Sequence, residues 1–249
     1  MAIPTFVSSG ATATAGGVTS TYTSVDVLAP AANILPDDLL IILHSARAGT
    51  SVNTLVVPSS FSALSSSGLG TTGAHQLSYL IAGGTEESTP YALDGTFTGA
   101  SPVHCGRLYQ FRNTLKASFT EGAATATATS LTVSSSSVTT AGIDRLALCA
   151  ITYLNGSAPT GTGVLSGTPA WSDPAGVNRH TTISNQLQTC PLPGTPPNTG
   201  VTRAAATMGI ATSVLWRTTT FALIGITTAS NIPNTYRSER QSIKRASFY

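Results

Sequence analysis

A chain of 249 residues can bury about 70 to 75% of the surface its unfolded form exposes, enough for one large sandwich or two fused smaller ones. Asp, Glu, Lys and Arg make up 9% of it, well below the usual share of about 25%, and the formal charge of +2 is too small to neutralise many phosphates, so specific nucleic-acid binding is not expected. Three cysteines without a Cys-x-x-Cys element argue against structural zinc or iron–sulfur clusters, and no apolar run approaches the roughly 18 residues of a spanning helix.

Met1 to Phe6 lacks the basic region and apolar core of a signal peptide, so neither secretion nor membrane insertion is expected. Residues 3–7 read as a short strand, Gly10 to Gly17 as a flexible connection, and Val18 to Leu28 as a strand with a mixed face. Pro36-Asp37-Asp38 makes a turn that opens into Leu39-Leu40-Ile41-Ile42-Leu43-His44. Alternation along that run points Leu39, Ile41 and Leu43 one way and Leu40, Ile42 and His44 the other, which predicts burial on both faces as far as His44. Ser45 to Thr50 reads as a loop. Pro58 marks a strand end after Leu55-Val56-Val57, because proline has no ladder donor. Strands follow over Gln76 to Ala82, Tyr91 to Phe97 and Val103 to Phe111, with Gly83 to Glu87 as a turn.

The Ala/Thr alternation from Ala123 to Val138 supports a further strand. Ile143-Asp144-Arg145 then repeats the earlier device, an acidic turn leading into a hydrophobic strand, here Leu146 to Ile151. Asn155-Gly156 reads as a turn, Pro159 to Gly176 as a long shaped loop around Trp171, Thr181 to Leu187 as a strand, and Pro191 to Thr199 as too proline-rich for one. Val201 to Leu215 and Phe221 to Thr227 complete the series as two late strands.

About a dozen strands with regular turn signals and no amphipathic helix predict an all-β fold: an antiparallel β-sandwich of the jelly-roll kind. The two acidic-turn strands suggest pseudo-duplicated halves, 18–113 and 123–229, within one body of residues 1–236. A basic, aromatic tail covers 237–249. Four cations and one Glu there carry +3, leaving −1 for the remaining 236 residues. A nearly neutral, Ser/Thr-clad body suits a fixed assembly better than a freely diffusing enzyme.

The order of elements resembles that of a family of bacteriophage virion structural proteins, among tail-associated and head-decorating components. The resemblance rests on Asp38-Leu39-Leu40-Ile41 leading to Arg47, Pro58-Ser59-Ser60-Phe61, Gln76 to Ala82 with Glu86, and Gly106-Arg107-Leu108-Tyr109-Gln110-Phe111-Arg112-Asn113. It continues through Leu146-Ala147-Leu148, Pro169-Ala170-Trp171 and Phe221 to Ile226, so it runs from about residue 18 to 229. It implies a compact β-sandwich carried on a virion assembled in the host cytoplasm, with no catalytic set to carry over. Other virion structural proteins are then the expected partners, a second copy of the chain is a further candidate partner, and no cofactor is expected. Family members often carry an aromatic-rich Pro-x-Gly-Trp element where this chain has Pro58-Ser59-Ser60-Phe61, so a shared binding surface is not implied there.

Residue by residue, chemistry is sparse. Asp37 and Asp38 read as turn caps in preference to half of a calcium site, and Glu86 and Glu87, being adjacent, do not form the opposed carboxylates of a glycosidase. His44, His75, His104 and His180 share no metal-ligand spacing, and His104 and Cys105 point to opposite faces of one strand. No Gly-x-Ser-x-Gly elbow marks a nucleophile. Cys149 reads as a small buried hydrophobe, while a Cys105–Cys190 disulfide stays open. Two places suit recognition. Trp171, with Asp173, Asn178 and Arg179, has the composition to stack on and orient a host glycan, or Trp171 plugs the sandwich. The tail residues Tyr236, Arg237, Arg240, Lys244, Arg245, Phe248 and Tyr249 combine aromatic anchors with charge for docking onto a neighbouring subunit, or form a solvated terminus. The leading expectation is a non-enzymatic virion structural protein decorating or connecting capsid or tail subunits. The alternative is a phage adhesin that binds host carbohydrate.

Overall fold

The structure, a computed structural model, describes residues 2–16, 24–31, 33–99, 102–142, 145–154, 163–179, 182–192 and 201–226. Every regular element among them is a strand. The first half supplies β1 (Thr5–Ser9), β2 (Ala13–Gly16), β3 (Ser24–Leu28), β4 (Leu39–Arg47), β5 (Ser51–Val56), β6 (Ser62–Leu69), β7 (Gly73–Ile81), β8 (Pro90–Thr98) and β9 (Val103–Arg112). The second supplies β10 (Thr120–Ser134), β11 (Val138–Thr139), β12 (Arg145–Leu154), β13 (Asn178–Arg179), β14 (Ile183–Leu192), β15 (Thr202–Arg203) and β16 (Thr207–Ile224).

All strand pairs are antiparallel. The first large sheet runs β1-β9-β4-β7-β6, with β2 also on β9, and the second runs β10-β16-β12-β14-β13. Both follow one order: an outer early strand, the last strand of the half, the acidic-turn strand, then a third strand flanked by a shorter one. The resemblance between β4 and β12 seen in sequence is therefore a correspondence of position. The expected boundary at residue 18 leaves out β1 and β2, which pair with β9 of the first half. The smaller sheets, β3-β8-β5 and β11-β15, hold three and two strands, so the hydrogen bonding establishes an antiparallel sandwich without completing an eight-stranded jelly roll.

The large sheets pack face to face. Leu39, Ile41, Leu43, Leu77, Tyr109 and Phe111 from one meet Leu146, Leu148, Leu187, Phe221 and Leu223 from the other. On its opposite face β4 turns Leu40 and Ile42 toward Val27, Tyr91 and Leu93 of the three-stranded sheet. Leu39 to Leu43 are each 0% exposed, and burying a side chain of this size contributes about 1.5–3 kcal/mol. Both faces of β4 carry that stabilisation, as the continuous apolar run predicts. A third cluster, around Trp171, Tyr153 and Trp216, covers the outer face of the second sheet.

Several strands run further than expected. β4 continues through Ser45, Ala46 and Arg47 because β7 and β9 ladder both its sides to the end. β6, serine-rich and without apolar periodicity, forms by pairing with β7, and β2 forms inside the supposed flexible connection. β14 passes through Pro191, which pairs with Leu146. β13 reaches only Asn185 and Ser184, so at Pro191 β14 is an edge, where proline is tolerated. The two late strands are one, β16, whose register against β10 jumps between Val214↔Ser130 and Gly209↔Thr132. Residues 18–23 of the expected early strand, Asp144 of the second acidic turn, and Asn155-Gly156-Ser157 lie outside the described residues.

Candidate functional site

The first acidic turn is built to hold strands together. Asp37 takes φ 74°, a left-handed conformation that Asp tolerates better than most residues, and this reverses the chain into β4. The buried Asp38 carboxylate accepts from the backbone N–H of Leu35 at 2.9 Å, from Gln110 Nε2 at 2.6 Å, and from Arg112 through Nε and Nη2, both at 2.8 Å. Burial works to raise its pKa, but the guanidinium and the other donors hold it below the usual aspartate value. In the second half Arg145, at the start of β12, donates to Glu121 of β10 at 2.6 Å. Each acidic-turn strand thus begins in an ion pair to another strand of its sheet, with the acid and base exchanged. Glu86 likewise turns inward, accepting from the N–H groups of Gly83, Gly84 and Thr85 at 2.7, 2.9 and 2.8 Å. Beside the first turn an open cleft of about 370 Å³ is lined by Pro36, Asp37, Asp38, Arg112, Lys116 and Ile226. Its charges are engaged in two pairs, Asp38–Arg112 and Asp37–Lys116 at 2.7 Å.

Between the large sheets lies a polar layer that sequence reasoning missed. Ser45 Oγ and Thr152 Oγ1 are 2.7 Å apart, Thr152 Oγ1 and His75 Nδ1 2.8 Å, and His75 Nε2 and Thr219 Oγ1 3.2 Å. Asn185 Nδ2 donates to Ser45 Oγ and to the carbonyl of Cys105, both at 2.9 Å. The layer separates the large apolar cluster from a smaller one of Leu69, Val103, Leu154 and Ile183. A serine–threonine–histidine chain has the elements of nucleophilic chemistry, but these side chains are sealed between the sheets and hydrogen-bond each other across the seam. The legible signal was parity. The inward rows Leu39-Ile41-Leu43-Ser45, Leu77-His75, Leu148-Ala150-Thr152 and Leu223-Phe221-Thr219 each pass from apolar residues to a polar one at the layer.

On the other side of the first sheet, His44 Nε2 and His104 Nδ1 lie 2.9 Å apart with stacked rings, and Phe97 packs edge-on against His104. His104 and Cys105 face opposite sides, as alternation requires. Burial lowers the pKa of His44 well below the ordinary value, that of His75 to about 3 and that of His104 to about 4. Among the described residues no three His, Cys, Asp or Glu side chains gather to hold a metal ion. Cys105, Cys149 and Cys190 are free and buried. Cys105 lies between the large sheets and Cys190 beyond the second, which explains why the two are not joined.

The four candidate glycan contacts do not share a surface. Ser172 exchanges backbone hydrogen bonds with Thr189, both at 2.8 Å, and so stitches the long loop onto β14. Trp171 is thereby turned inward, 4% exposed, with the Arg203 guanidinium 5.5 Å from its ring centre. Asn178 is fully buried and donates to the carbonyl of Gly106 at 2.6 Å, joining the halves. Asp173 is half-buried. Its pKa is raised by burial, opposed by the N–H groups of Gly176 and Ala175 and by Arg107, whose guanidinium also binds the carbonyls of Ala175 and Gly176 and the hydroxyl of Thr12. Arg179 is exposed. No family profile, curated protein or solved structure matches the chain. The tail candidates Tyr236, Arg237, Arg240, Lys244, Arg245, Phe248 and Tyr249 lie outside the described residues. Ile226, the last described residue before them, is partly exposed at the cleft beside Asp38.

Proposed function

We propose that the chain is a non-enzymatic structural protein of a bacteriophage virion, a laminated β-body that decorates or connects capsid or tail subunits. The observation that carries this reading is how its ionisable groups are used. Asp38, Glu86 and Glu121 are committed to strand starts and turns, and His44, His75 and His104 to the seams between sheets. A body organised in this way invests its polar chemistry in rigidity, and its Ser/Thr-rich surface makes low-charge contacts with neighbours. The resemblance in element order supplies the virion context. The tail from 237 to 249, with aromatic and basic residues, is the segment that would dock on an adjacent acidic subunit.

The test is localisation. Cryo-electron microscopy and quantitative mass spectrometry of purified particles should find the protein at a fixed copy number. Its absence from particles made by cells that express it would refute the reading. Carbohydrate recognition through Trp171 is less well supported, because a sugar stacking there has to displace Arg203 and open the loop.

A further inference from the structure

β10 is the outer strand of the second large sheet. It pairs with β16 along one side, and along the other no described backbone group hydrogen-bonds to residues 124–130. Over that stretch the ladder is regular, from Ala124↔Thr220 to Ser130↔Val214, and it is bounded by register shifts at both ends. From Gly122 to Ser134 there is neither a charge nor a proline, and Thr125, Thr127, Ala128 and Thr129 are exposed. Open edges of this kind are templates for another strand, and sheets usually blunt them with charge, brevity or bulges. The other edges here show those devices. β13 has two residues, β5 is interrupted between Val52 and Thr54, and Arg217 lays its guanidinium on the Gly68 carbonyl of β6 at 2.7 Å.

We propose that β10 is the surface on which two copies of this chain associate, pairing edge to edge about a two-fold axis through Thr127. The occupant follows from self-complementarity. An antiparallel two-fold pairing matches residue 127+n with 127−n, so side-chain parity is preserved and the regular stretch 124–130 maps onto itself. Thr125 meets Thr129 of the second copy, Ala126 meets Ala128, and Ala124 meets Ser130. Threonine pairs are favourable across strands, and no like charges confront each other. Beyond Ser130, Leu131, 55% exposed in the single chain, falls opposite Ala123. The two five-stranded sheets then run on as one. The geometry holds whether or not the chain is carried on a virion.

Sedimentation velocity of the full-length chain across a concentration series tests this. The wild type should form dimers. Thr125→Lys/Thr129→Lys, which places lysines side by side twice across the axis, should raise the dissociation constant roughly tenfold or more. Thr125→Asp/Thr129→Asp should do the same, and mixing the two variants should restore a heterodimer. Circular dichroism confirms folding; if the double variants fail to fold, Thr127→Lys, a single exposed substitution whose lysine meets its own copy on the axis, provides the same reading. A wild type that sediments as a monomer at every concentration, or an oligomer that survives the charged variants, overturns the proposal.

Discussion

Arg112, at the end of β9, donates to both carboxylate oxygens of Asp38, at the entrance to β4: Nε to Oδ1 and Nη2 to Oδ2, each at 2.8 Å. Asp38 is 2% exposed and the arginine side chain 32%, so the pair is anchored in the core and open at one end. Removing the cation leaves a buried carboxylate with only neutral donors. Arg112→Leu should therefore destabilise the fold by about 2–4 kcal/mol, read from urea melts. The neighbouring pair between Lys116 and Asp37 is solvent-exposed at both ends, 65% and 54%, and Lys116→Ala serves as the control with little change. Equal losses in the two variants would contradict the structural role given to Asp38.

The buried histidines set an acid limit to stability. Their folded pKa values lie below the ordinary 6.5, through burial first and then, for His75, the nearby charge of Arg217; for His104, Asp94 opposes the shift. A group of this sort contributes its full share above about pH 6.5. That share is lost as pH falls toward the folded values, about 4 for His104 and about 3 for His75, because the unfolded chain takes up the proton first. The urea midpoint should be flat above about pH 7 and drop between about pH 6.5 and 4, with a shallower drop in His75→Gln. An unchanged slope in that variant would remove His75 from the account.

Thr152 is the junction of the polar layer, within hydrogen-bonding distance of Ser45 and His75. Thr152→Val keeps the shape and removes the hydroxyl from both partners. A loss of about 1–3 kcal/mol is expected, with faster hydrogen exchange at the β4 and β12 ends nearest the layer. A neutral result would mean that Ser45 and His75 satisfy each other without it.

Trp171→Ala should act on stability, at about 3–5 kcal/mol, because the indole fills the cluster around Tyr153 and Trp216 and supports Arg203. Differential scanning calorimetry reads the loss. A folded Trp171→Ala protein that melts like the wild type yet loses saturable binding on a glycan array would return this loop to carbohydrate recognition.

Much of the layering was legible because strand alternation is local. Leu39 to Leu43 announce a strand buried on both sides, and the Asp-led start of β4, with its counterpart near residue 143, foreshadows two sheets of one strand order. What escaped was structure held up by pairing alone. β6 has no apolar rhythm and exists because β7 offers it a ladder. Trp171, in a proline- and glycine-rich loop, has the composition of a binding residue, and only the bonds between Ser172 and Thr189 show that the loop folds back and turns it inward.

By itself, then, the amino-acid sequence determined the all-β class, the double burial of the central strands, and the opposite facing of His104 and Cys105, since each follows from a two-residue period along one strand. Tertiary structure alone decided which polar row met which across the seam, and why Asp38 is a strand fastener. Arg112 lies 74 positions away along the chain, and only the β4–β9 ladder brings its guanidinium to that carboxylate.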